Sequence, residues 1–150
     1  MEYYSLLLKA HSGWRYVVLI TLVIAILSSL AGWLGKKNYS PGNRKINLFA
    51  LISAHIQFLL GLILYFMSPL AKAGDMSVAM KDSNLRYWTV EHTVMMLIAI
   101  ALITIGHSKS KKLLDSVAKH RKVAIFYSIA LIIIFVAITM IGDREAWQIR

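Results

Sequence analysis

The sequence predicts an all-α integral membrane protein, a four-helix up-down-up-down bundle with both termini on the outer face, and three observations carry that expectation. Four stretches without Lys, Arg, Asp or Glu, Tyr16 to Gly35, Ile46 to Ala71, Thr93 to Gly106 and Val123 to Gly142, occupy most of the 150 residues. A bilayer core about 30 Å thick needs roughly 20 apolar helical residues to cross it. Three stretches reach that length unaided, and the third does so once Tyr87 to His92 is added. The second observation is charge placement. Lys36, Lys37, Arg44 and Lys45 lie between the first two stretches, and Lys109, Lys111, Lys112, Lys119, Arg121 and Lys122 between the last two. The positive-inside rule puts both of those loops on the cytoplasmic side. Glu2, Asp75, Asp82, Glu91, Asp143 and Glu145 fall on the other side, with the two termini. Third, Trp14 and Trp33 are 19 residues apart, about 28 Å of helix, which matches the spacing of the two aromatic belts of a membrane.

Helices are therefore expected over about 10–35, 46–70, 86–107 and 122–143, as one transmembrane domain. Trp14 marks the outer edge of the first and Trp33 its inner edge, while Trp88 and Trp147 mark the outer edge for the third and fourth. Pro41 and Gly42 suit a turn in the first inner loop, and Pro69 a stop or kink near the outer end of the second helix. The first apolar run is too long for a signal-peptide core and no A-x-A site follows it, so it is expected to be a retained helix. A formal charge of +10 on a chain that is 58% hydrophobic points to anionic lipid headgroups as the partner of the basic loops, not to nucleic acid. With no Cys, disulfides, thiolate metal sites and covalent CxxCH haem attachment are excluded.

Chemistry is expected at the polar residues set within the apolar stretches, because an ionisable group there is costly and usually functional. His55 lies about nine residues into the second helix, roughly 14 Å from the inner edge, and His92 four residues inward of Trp88, about 6 Å below the outer belt. With helix tilt, their depths would differ by only about 5–10 Å. His11 stands near the outer surface, Arg15 one turn deeper on the same face, and Gln57, Tyr65 and Glu91 at neighbouring depths. One haem b held between helices uses all of these: His55 and His92 as axial ligands of the iron, Arg15, His11 and Arg86 beside the propionates, Glu91 orienting His92 or handling protons near a quinol, and Gly13 and Gly61 permitting close approach of a flat ring. A rotated arrangement pairs His11 with His92 and leaves His55 for proton transfer. Other readings compete. The polar groups could fasten helices together in a haem-free structural or assembly subunit of a larger membrane complex. His11, His92 and Glu91 could instead hold a non-haem metal, and Arg15 and Glu91 could pair structurally. His107 and His120 are expected to be solvated or lipid-facing at the basic edge, and Met95 and Met96 to be packing.

The segments HSGWRY (His11 to Tyr16), NLFALISAHIQFLLGLILYF (Asn47 to Phe66) and YWTVEHTVMMLIAIALITIGHSKSKK (Tyr87 to Lys112) resemble those of a family of small four-span bacterial membrane proteins, typical of the Bacteroidota and labelled cytochrome b-like. The resemblance covers nearly the whole chain. It implies haem b, electron transfer, membrane quinol and a larger membrane complex as partners, and a place in the bacterial inner membrane. The paired histidines on two helices, four in all, of di-haem cytochrome b subunits are absent, so one haem is the expected upper limit.

Overall fold

Residues 2–140 and 149 are described by the computed structural model, and their regular structure is helical throughout. The expected marker Trp147 and the acids Asp143 and Glu145 lie outside the described residues. The helices are α1 (Glu2–Leu34), α2 (Pro41–Met67), the short α3 (Met76–Ala79) and α4 (Ser83–Arg86), a π-helical turn (Tyr87–Glu91), α5 (His92–Lys112) and α6 (Ser116–Thr139). Four helical runs are long and apolar enough to cross a membrane, the third being the continuous Ser83–Lys112.

Each run begins ahead of its apolar stretch, and at α2 and α6 capping, not hydropathy, sets that start. Pro41 and Gly42, expected in a turn, are the first residues of α2: Ser40 caps the helix, accepting from the Asn43 N–H while the Asn43 side chain accepts from the Ser40 N–H, and Pro41 fills the first helical position. Asp115 caps α6 through the Ala118 N–H, eight residues ahead of the apolar stretch, and the helix runs uninterrupted through Lys119, Arg121 and Lys122. α2 stops at Met67, since Ser68 takes the extended conformation (φ −75°, ψ 135°) that the following Pro69 imposes. In the connecting segment Asp75 caps α3. Hydrogen bonds from the Ser77 hydroxyl and the Val78 N–H hold its carboxyl below the usual aspartate range.

Contacts between helices fix their directions. Along α1 and α2, Tyr4 meets Ser68, Gln57 donates to the His11 carbonyl, Thr21 meets Ser53 and Asn43 donates to Ser28; as one number rises the other falls, so the two helices are antiparallel. α5 and α6 pair likewise, with Tyr87 bonded to the Ala137 carbonyl near one end and Gly106 against Phe126 near the other. α1 packs against α2 and α6, and α5 packs closely on α6 but only loosely on α2. The interior is built largely of small residues at the crossings, with Ala25, Ala50, Ala54, Ala99, Ala130 and Ala137 buried around Leu22, Ile103 and Tyr127. Such residues let apolar helices approach closely where lipid would otherwise compete for the same surface. Facing outward are large apolar side chains on every long helix, among them Ile24, Leu27, Phe49, Leu59, Ile98, Ile105, Ile132 and Phe135. A continuous belt of this kind is what hydrocarbon covers.

At the basic end the two histidines expected to be solvated or lipid-facing are buried instead: His107 is 3% exposed and His120 1%. His120 on α6 lies on Gly32 of α1, its Nε2 donates to the Asn38 carbonyl at 3.3 Å, and its ring meets Tyr39 edge-on at 5.1 Å. Asn47 donates to the Tyr39 hydroxyl, and the Tyr127 hydroxyl donates to the Asn47 carbonyl at 2.8 Å. The imidazole fills the room left by a missing side chain, so the α1–α2 connection is clasped to α6.

Candidate functional site

The loose contact between α2 and α5 leaves an elongated cavity of about 350 Å³ toward the end of the bundle that holds His11 and His92. This lies within the roughly 300–1,000 Å³ range of small-molecule and cofactor pockets. Each long helix contributes one stripe to it. From α1 come Tyr4, Leu8, His11, Arg15 and Val18; from α2 Ala54, Gln57, Phe58, Gly61 and Tyr65; from α5 His92, Met96, Ala99 and Ile103; from α6 Ile134 and Ile138. These spacings of three and four residues are one face of an α-helix. The walls are mainly aliphatic and aromatic, with His11, Arg15, Gln57 and His92 as the strongly polar lining.

His11 and His92 come together. Their ring centroids are 6.5 Å apart, with the planes at 76°. Two metal–imidazole bonds of about 2 Å each, plus the two ring radii, separate ring centres by roughly 6 Å. The spacing therefore fits two imidazoles facing one metal ion from different helices. Gly61 makes the arrangement possible on one side, because a Cβ there would stand 3.0 Å from the His11 ring. The Gln57 side chain donates to the His11 carbonyl at 2.8 Å, while the His11 Nδ1 is buried without a hydrogen-bond partner. Gly13, expected to permit close approach as well, would meet only Ile149 at ordinary contact distance. On α5, the π-turn Tyr87–Glu91 immediately precedes His92, and its ring packs beside Trp88 with centroids 5.2 Å apart. π-turns of this kind are frequent at functional sites.

The pairing of His55 with His92 is not made. His55 does not line the cavity; its Nδ1 lies 2.8 Å from the Leu51 carbonyl and its Nε2 3.5 Å from the Thr104 hydroxyl. Thr104 is twelve residues along α5 from His92, about 18 Å, so the depths differ by far more than helix tilt absorbs. Glu91 also turns away: its Oε1 accepts from the Arg86 Nε at 2.8 Å, beside a separate surface pocket lined by Ser83, Asn84 and Tyr87. Arg86 is thus engaged by Glu91 and lines that pocket, not the histidine cavity, and the Arg15–Glu91 pair is not formed. Nor does Glu91 join the histidines, and among the described residues no group of three His, Cys, Asp or Glu is placed to hold a metal ion. Arg15 does line the cavity, its guanidinium 5.1 Å from the centre of the Tyr16 ring.

Fold and site together define a multi-pass helical membrane protein in which two histidines from separate helices, 6.5 Å between ring centres, line an apolar slot. Comparison with protein-family models, with curated proteins and with solved structures finds no match to this chain.

Proposed function

We propose that this protein is a small membrane electron-transfer subunit that binds one haem b, which His11 and His92 would hold. The observation that carries the reading is the opposed pair itself: two imidazoles 6.5 Å apart, borne by separate helices, in an otherwise apolar cavity. Bound there, haem supplies a one-electron carrier whose potential follows from its ligands and its burial. The chain does the rest. α1 and α5 present one imidazole each, Gly61 leaves the His11 ring its place, and the aliphatic walls keep water from the macrocycle. Arg15, one turn along the same face of α1, is the cation for a propionate. His55 sits apart from the cavity and serves as a packing residue on the α2–α5 seam.

With its basic loops on the cytoplasmic side of a bacterial inner membrane and both termini outside, the histidine pair lies in the outer half of the bilayer. Membrane quinol is the natural electron donor at that depth, and a larger complex the acceptor. The wild-type chain purified from haem-replete cells is expected to show a Soret band and a sharp α-band on reduction. A colourless chain that co-purifies with a stoichiometric membrane partner overturns the haem reading and favours an accessory subunit.

A further inference from the structure

Tyr87 is buried beside His92 and is held there by a π-helical turn. In an α-helix, residues five apart lie about 140° from each other around the axis. The Tyr87–Glu91 turn closes instead with the His92 N–H donating to the Tyr87 carbonyl, an i to i+5 bond, which brings the two side chains to one side. The rings stand 5.8 Å apart, and the Tyr87 hydroxyl is 3.5 Å from the His92 Nδ1. That hydroxyl has one proton, and it is committed: it donates to the Ala137 carbonyl of α6, which can only accept. The oxygen is left as an acceptor toward His92.

We infer that Tyr87 is a positioning residue that fixes the tautomer of His92, holding the proton on Nδ1 and leaving the Nε2 lone pair bare. The chain of bonds runs from His92 Nδ1–H to the Tyr87 hydroxyl and on to the Ala137 carbonyl, tying the imidazole of α5 to the backbone of α6. Histidines that bind metals donate their other ring N–H to such a partner, which sets both tautomer and ring orientation. The role in ligation rests on the haem reading above; the tautomer itself does not. A metal could then be met only through Nε2, the nitrogen on the far side of the ring from Tyr87.

The test is ¹⁵N NMR of the full-length chain in lipid bilayers, labelled at histidine and produced in cells unable to make haem, with His92 assigned by the resonances missing from His92→Gln. In the wild type, His92 is expected to show a protonated Nδ1 and a bare Nε2. In Tyr87→Phe, which removes only the hydroxyl, that preference is expected to be lost, with the proton moving to Nε2 in most molecules. A wild-type His92 protonated on Nε2, or a Tyr87→Phe spectrum identical to wild type, overturns the proposal. The expected tautomer in a protein that never acquires a Soret band leaves Tyr87 as the positioning residue and removes the haem reading alone.

Discussion

His11→Ala and His92→Ala are each expected to purify without a Soret band, with haem per chain at least tenfold below wild type, while His55→Ala keeps its colour. A tenfold loss corresponds to about 1.4 kcal/mol, a modest demand on an axial ligand. The contrast follows from geometry. His11 and His92 face each other at 6.5 Å, whereas His55 bonds within its own helix to the Leu51 carbonyl and lies beside Thr104. Losing the His55 hydrogen bonds costs stability on the order of 1 kcal/mol and nothing at the site. Haem content measured by absorbance against protein concentration checks all three variants, and a colourless His55→Ala beside a coloured His11→Ala is the outcome that defeats the assignment.

The second large effect is expected at the opposite end of the bundle, in Gly32→Ala. A Cβ at Gly32 would lie 2.4 Å from three atoms of the His120 ring, closer than packed atoms tolerate. The imidazole must move, giving up its bond to Asn38 and its contact with Tyr39. Overpacking of this kind costs about 1–3 kcal/mol. For a chain of this length that lowers the thermal midpoint by roughly 2–12 °C. The matched control is Gly13→Ala, where the new methyl meets only Ile149 at 3.8 Å and no comparable loss is expected. His120→Ala in the Gly32→Ala background removes the clash and is expected to recover part of the stability. A thermal unfolding series in detergent reads these variants together. Gly32→Ala melting with wild type would show that the clasp does not hold the loop end.

The helices were legible in the sequence, and the relative height of residues on neighbouring helices was not. The four apolar stretches, the basic loops and the small-residue crossings at Ala50 and Ala54 announce the helices and their close packing. Counting from helix ends brings His55 and His92 within about 5–10 Å in depth, whereas His55 lies beside Thr104, twelve residues or about 18 Å along α5 from His92. His55 shares its side of α2 with the cavity-lining Leu62 and Phe66, seven and eleven residues on, so its position along the helix and not its direction keeps it out of the cavity. His11 and Arg15 share the α1 stripe with Leu8 and Val18, a pattern present in the residue spacing. Tyr87 had no such signal, because residues five apart meet only across a π-turn, and nothing in YWTVEH marks the extra residue. The burial of His120 left a faint trace in Gly32, but identifying its partner required knowing that α6 lies against α1. Arg86, five residues before Glu91, captures its carboxylate at 2.8 Å and removes it from the histidine pair.

The proposed function requires one haem, which His11 and His92 would hold. Its most direct test is a haem assay of the purified wild-type chain combined with electron paramagnetic resonance of the oxidised protein. One haem b per chain, with the low-spin signal of an iron that the His11 and His92 imidazoles would hold together, is the predicted result. A chain free of haem, or a high-spin iron with a single protein ligand, would contradict it.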